Sequence, residues 1–146
     1  PEKHIEAMDF QIDLINLKNK VISGANLIIT QLYYDNEDFY RFVDLCRSLD
    51  ITVPIVPGLM PILNTDQIKR ITSMCGATIP VELLKKLEDA SDDQYKVHEI
   101  GIEYTSNQAI DLLKHGVPGI HFYVLNKYFH IAEIMDRIKP VLTSIE

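Results

Sequence analysis

Gly24-Ala25-Asn26-Leu27-Ile28-Ile29-Thr30-Gln31 decides how this chain reads, because an apolar run there stops abruptly at two side chains able to hydrogen-bond a ligand. A buried parallel strand has this pattern, and α/β folds place function at strand C-termini. Gln31 carries an amide with both donor and acceptor capacity, and Leu32-Tyr33-Tyr34-Asp35 follows it. The expectation is a strand mouth with aromatic surface, suited to a flat heterocycle with amide edges.

Two other segments share this grammar. Ile51-Thr52-Val53-Pro54-Ile55-Val56-Pro57-Gly58 ends in Pro-Gly, and Gly119-Ile120-His121-Phe122-Tyr123-Val124-Leu125-Asn126 ends in Asn126. Helical spacing fills the rest. It predicts helices over 8–23 closed by Gly24, over 36–49 capped by Asn36, and from Asn64 or Thr65 to about 74. Pro80 opens a short helix, Asp92 or Asp93 opens a long one that stops at Gly116, and the last covers 127–138.

Strands alternating with helices need crossover connections, so the sheet is expected to be parallel. Three strands leave two unpaired edges. The 146 residues also fall short of the roughly 250 of a whole (β/α)8 barrel, and position 1 is Pro, not Met. These features predict a piece of a larger barrel.

Composition narrows the function. With 47% hydrophobic and 24% charged residues the chain can bury a core. Twenty-one acidic against fourteen basic residues give a formal charge of −7, which opposes nucleic-acid binding. No leader, lipidation motif or long apolar span is visible, so no membrane partner is expected and a cytoplasmic location is. Cys46 and Cys75 stand in helical patterns among apolar neighbours and read as reduced core residues. There is no Gly-x-Gly-x-x-Gly, no Walker loop and no catalytic triad, and the five histidines lack the spacing of a metal site.

On the first helix, Asp13, Asn16 and Lys20 share one stripe while Leu14, Leu17 and Val21 point elsewhere. A carboxylate for sugar hydroxyls, an amide and a cation for phosphate suit a ribityl diphosphate. Spacing alone favours the plainer reading, a solvated face with an Asp-to-Lys stripe.

Several segments together resemble one family. They are Pro1-Glu2-Lys3-His4-Ile5-Glu6-Ala7; Asp13-Leu14-Ile15-Asn16-Leu17-Lys18 through Lys20; Gly24-Ala25-Asn26 with Ile29-Thr30-Gln31; Ile55-Val56-Pro57-Gly58 with Met60-Pro61-Ile62; and His121-Phe122-Tyr123-Val124-Leu125-Asn126. In order and spacing they are similar to the C-terminal half of the catalytic barrel of the methylenetetrahydrofolate reductase family. The resemblance implies a partial TIM (β/α)8 barrel of about three parallel strands, the sixth to eighth, with flanking helices. Residues 1–146 would be the C-terminal part of a single FAD-dependent catalytic barrel whose upstream half is absent.

The resemblance also assigns roles. It implies FAD contacts at His4, Ala7, Asp13, Asn16, Asn19 and Lys20, with Asn19 standing where some members carry a basic residue. It implies folate and nicotinamide contacts at Gln31, Gln67, Ile71 and Lys127. Ile71 replaces the Phe of bacterial members, and Lys127 replaces a frequent Arg, keeping the charge but losing the bidentate fork. The implied reaction, in one-carbon and methionine metabolism, is reduction of 5,10-methylenetetrahydrofolate to 5-methyltetrahydrofolate by NADPH or NADH through FAD. Two flat substrates using one site in turn imply ping-pong kinetics. The family's catalytic acidic residues would lie upstream, so no catalytic residue is expected within this chain, and alone it should be inactive or nearly so. A homo-oligomer is expected of the full-length parent.

A reading of another class is a non-catalytic half-barrel or interaction module without flavin binding, driven by its open sheet edges to pair with a complementary half. A third, an aldolase or lyase barrel, is opposed by the lack of a strand-end Schiff-base Lys and of a glycine-rich phosphate loop after the third strand.

Overall fold

A computed structural model describes residue 2 and residues 9–124 and 128–145. Among the described residues the architecture is α/β: three parallel strands in the order β1-β2-β3, with six helices. The strands are β1 (Ile28–Leu32), β2 (Ile55–Leu59) and β3 (His121–Phe122). β1 and β2 are joined by one helix and β2 and β3 by three, the crossover logic expected from the sequence. Parallel neighbours following one another in chain order are the pattern of a barrel arc.

The helices start where the sequence offers caps. α1 (Phe10–Ile22) begins at Asp9, whose carboxylate accepts from the Ile12 amide at 2.8 Å. α3 (Thr65–Cys75) begins at Asn64, which accepts from the Gln67 amide at 2.9 Å, and stops at Gly76 with φ of 71°. α4 (Val81–Asp89) follows Pro80, and the long α5 (Gln94–Lys114) is capped by Asp93. α2 (Asn36–Ser48) is capped by Asp35 and not by Asn36 as expected. Asn36 instead turns across to α5, donating to the Gln108 carbonyl at 3.0 Å and the Asp111 carboxylate at 2.7 Å.

Two elements differ in extent from their sequence reading. The third strand is only His121–Phe122, paired to Gly58 and Leu59, and the next amide, that of Tyr123, still donates to the Leu59 carbonyl at 2.8 Å. The last helix, α6, runs Phe129–Ile145, well past residue 138. Pro140 lies inside it at an exposed position, and exposed Asp136 stands one turn earlier, so water can meet the carbonyl that proline leaves without a donor.

β1 is not buried on both faces. Ile28, Thr30 and Leu32 are buried, while Ile29 and Gln31 are exposed, so an edge strand covered on one side replaces the expected fully buried one. The main core gathers Leu14 of α1, Phe39 and Cys46 of α2, Ile55 and Leu59 of β2, and Ile134 and Ile138 of α6. A second cluster sets Leu32 and Tyr34 against Ile68, Leu83, Leu87 and Val97. Cys46 is buried, Cys75 is half-buried, and both are free thiols. Among the described residues no helix is long and apolar enough to cross a membrane.

Candidate functional site

The strand C-termini converge through three residues from three strand segments. Thr30 is buried, and its hydroxyl accepts from the Gly58 amide at 2.9 Å. The Tyr123 phenol donates to the Thr30 carbonyl at 3.0 Å. A Cβ added at Gly58 would stand 2.3 Å from that carbonyl oxygen and 2.8 Å from the Tyr123 ring, so only glycine fits between the strands here. Burial, and secondarily the neighbouring Cys75 thiol, push the Tyr123 phenol above its ordinary value and hold it as a neutral donor.

This arrangement corrects the reading of the strand mouth. Thr30 spends its hydroxyl inside the sheet and does not face a ligand. Tyr33 and Tyr34 are almost wholly buried. Tyr33 stacks on Phe39 with ring centroids 5.7 Å apart, and the Tyr34 hydroxyl donates to the Met60 carbonyl at 3.3 Å. Gln31 is the exposed polar group at this end of β1, and its side-chain oxygen accepts from the Leu32 amide at 3.0 Å.

Beyond the ends of β2 and β3 lies a cavity of about 70 Å³ lined by Met60, Leu63, Gln67, Tyr123, Val124 and His130, among others. Gln67 sits on the first turn of α3 and is exposed, so its amide is available to a ligand entering there. Ile71, one turn on, is half-buried and packs against the cluster around Tyr34 and Ile68. Tyr123 and His130 were not singled out from the sequence as site residues. Their strand-end and helix-start positions are the local signal that would have found them.

The α1 stripe is present as expected. Leu14, Leu17 and Val21 pack into the core, while Asp13 is half-buried and Asn16, Asn19 and Lys20 are exposed. From Asp13 to Lys20 the helix rises about 10 Å. A ligand touching both ends must therefore be elongated, with an acceptor-seeking part near Asp13 and an anion near Lys20. That donor set suits a hydroxylated chain joined to an anionic group. His4 and Ala7, along with Asn126 and Lys127, lie outside the described residues. The structure thus brings Gln67 and Tyr123 to one cavity, keeps Asp13, Asn16 and Lys20 on one helix face, and leaves Gln31 on the outer strand.

Comparison with known proteins shows the family and the fold. The sequence profile of the family "Methylenetetrahydrofolate reductase" matches residues 1–139. The chain is 39% identical over 127 residues to the 5,10-methylenetetrahydrofolate reductase of Escherichia coli strain K12, covering 87% of this chain and 43% of that protein. It is 39% identical over 135 residues to methylenetetrahydrofolate reductase (NADH) 1 of Arabidopsis thaliana, covering 86% of this chain and 23% of that one. A probable methylenetetrahydrofolate reductase (NADPH) of Caenorhabditis elegans is 40% identical over 139 residues, covering 94% of this chain and 21% of its own length. The chain thus spans less than half the length of each of these relatives. In fold it is similar to an uncharacterized Clostridium thermocellum protein that binds two copies of 5-methyl-5,6,7,8-tetrahydrofolic acid. That likeness has a TM-score of 0.57 at 20% identity, over 92% of this chain and 49% of the other.

Proposed function

Because the chain belongs to the methylenetetrahydrofolate reductase family, we propose that it is part of the catalytic barrel of an enzyme that reduces 5,10-methylenetetrahydrofolate to 5-methyltetrahydrofolate with NADPH or NADH. The observation that carries this reading is the family match over residues 1–139. The geometry supports it: a solvent-facing amide at Gln31 and a cavity flanked by Gln67 and Tyr123 stand at the strand ends, where barrel enzymes bind substrates.

FAD is the implied cofactor; when bound, it supplies the two-electron carrier that lets the nicotinamide and the folate use one site in turn. In this reading Asp13 and Asn16 hold its hydroxylated chain and Lys20 its phosphates, with His4, Ala7 and Asn19 at the flanks. Gln31 and Gln67 offer both donors and acceptors to the amide edges of folate and nicotinamide, and Ile71 and Lys127 complete the substrate contacts. Tyr123 holds the end of β1 in register and so fixes where Gln31 stands.

The part played by this chain is one arc of the barrel, its strands being the sixth to eighth. β1 and β3 are the edges of the sheet. Large apolar side chains stay exposed on α1 and on the edge strand β1: Ile15 and Ile22 on α1, 54% and 73% exposed, and Ile29 on β1, 47% exposed. Such a surface supports further barrel elements packing there. The acidic groups that protonate the folate would belong to those elements, so the chain by itself is expected to lack turnover. The parent would act as a homo-oligomer in the cytoplasm.

The test is flavin retention. The chain is mixed with excess FAD, freed of unbound flavin by gel filtration, and read by visible absorbance together with elution volume. Retained flavin that Asp13→Ala or Lys20→Ala releases supports the reading. A folded chain that elutes colourless sinks the α1 assignment and favours the non-catalytic half-barrel.

A further inference from the structure

α5 and α6 bring together three side chains that no sequence motif joins. His98 lies near the start of α5, while His130 and Glu133 are spaced i, i+3 on α6 and project from one face. His98 Nε2 and Glu133 Oε2 are 2.8 Å apart. The His98 and His130 rings have centroids 4.8 Å apart. Taking one ligand atom from each residue, all three lie within 4.8 Å of one another.

We propose that His98, His130 and Glu133 bind a divalent ion of the zinc class, cross-linking α5 to α6 at the wall of the cavity. Two imidazole nitrogens and one carboxylate oxygen are the donor set of zinc and cobalt, whereas magnesium and calcium take oxygen. Three protein ligands leave a fourth position to water, an arrangement zinc accepts. Bonds of about 2.1 Å set tetrahedral ligand atoms about 3.4 Å apart. Closing from 4.8 Å to that spacing brings ligand atoms about 1.4 Å nearer, a distance on the scale of a side-chain rotation.

The frame for this site is already rigid. Ile134 and Ile138 bury the adjoining face of α6, and His130 itself is 9% exposed, so its ring is held in place before any ion arrives. His98 and Glu133 have side chains 21% and 47% exposed, which gives a hydrated ion a way in. Their contact already sets two ligands against each other. His130 also lines the cavity beside Gln67 and Tyr123, so an ion here would stiffen that wall. This inference stands on the geometry of α5 and α6 and does not depend on the proposed reductase reaction.

Cobalt titration tests it. The chain, stripped with a chelator, is titrated with Co²⁺ and then Zn²⁺ while visible absorption and bound metal are measured. One equivalent of Co²⁺ with the intense visible bands of low-coordinate nitrogen and oxygen ligation, displaced by Zn²⁺, is expected. Affinity should fall about tenfold or more in His98→Ala and in the isosteric Glu133→Gln, and be unchanged in His115→Ala. Glu133→Gln keeps the size and exposure of the side chain, so loss of metal with unchanged circular dichroism cannot be laid to unfolding. Uptake below one equivalent, affinity unmoved by both substitutions, or a near-ultraviolet thiolate band lost in Cys75→Ser would each overturn the proposal. The trio would then be a hydrogen-bonded His98–Glu133 pair beside a histidine packed on Phe129.

Discussion

The phenol of Tyr123 donates a 3.0 Å hydrogen bond to the main-chain carbonyl of Thr30, joining residues 93 apart in sequence across the C-terminal end of the sheet. β3 pairs with β2 over only two residues, so this bond reaches past the short third strand to the first. Tyr123→Phe keeps the ring against Gly58 and removes the donor alone. The expected cost is about 1 kcal/mol, read as a fall in Tm of about 2–5 °C by circular dichroism. A Tm unchanged within error would show that water replaces the phenol without loss.

Gly58 sits beneath that bond. Alanine there would press a methyl group to 2.3 Å from the Thr30 carbonyl oxygen, a contact that backbone cannot relieve by changing rotamer. Gly58→Ala is expected to destabilise by about 2 kcal/mol or more in urea unfolding. Truncating Tyr123 as well should not restore stability, because the closer clash is with backbone and not with the ring. Rescue in the double variant would place the strain on the Tyr123 side instead.

Much of the fold was legible because its signals are local. Asp93, Asn64 and Pro80 start helices by accepting amides or fixing φ, and Gly76, on a left-handed residue, ends one. The failures were matters of tertiary contact. Nothing near Asn36 tells that it reaches α5 and leaves capping to Asp35. The Tyr33-Tyr34 pair looks the same in sequence whether it faces a ligand or the core; stacking on Phe39 decides it. The α1 stripe was readable from the helical period. The cavity was not, since Gln67 and Tyr123 meet only once β2 and β3 are paired.

Lys20 is exposed at the last turn of α1, and among the described residues it makes no ion pair, so it is available to an anion. If it meets the flavin phosphates, Lys20→Ala should weaken FAD retention about tenfold, the worth of one charge-assisted hydrogen bond. Raising salt should reduce the gap between wild type and variant, because the contact is solvent-facing. Lys18, whose ammonium lies 3.8 Å from Asp50, serves as the control cation on the same helix. Equal losses on replacing Lys18 and Lys20 would mean general charge and not a site.

The two thiols should react at different rates. Burial pushes the Cys46 thiol up to about 11, with Arg47 only partly offsetting it, and its side chain has no exposed surface. Cys75 is half-buried near the end of α3, and burial raises its thiol as well. The thiolate is the reactive form, so a disulfide reagent at mildly alkaline pH should label Cys75 slowly and Cys46 only after denaturant is added. Cys75→Ser should abolish labelling of the folded chain. Two equivalents reacting together would mean that the core around Cys46 opens readily.

Acid should act on the link between α2 and α5. Asp111 accepts from the Tyr40 hydroxyl at 2.6 Å and from the Asn36 amide at 2.7 Å, and His115 stands 3.4 Å away. Burial pushes the Asp111 carboxyl up, but the bonds from Tyr40 and Asn36, aided by His115 and Lys114, outweigh it and leave the carboxyl below its ordinary value. A carboxyl lowered on folding contributes stability that is fully present above its unfolded pKa of about 3.9. That contribution disappears as pH falls through the still lower folded value. Half of this side chain is in water, so the effect is modest and best seen by difference. Urea midpoints measured from about pH 6 down to about pH 3 should fall more steeply for wild type than for Asp111→Asn, whose amide does not titrate. Parallel curves would mean that Tyr40 and Asn36 hold Asp111 equally well in either protonation state, and that acid unfolds the chain elsewhere.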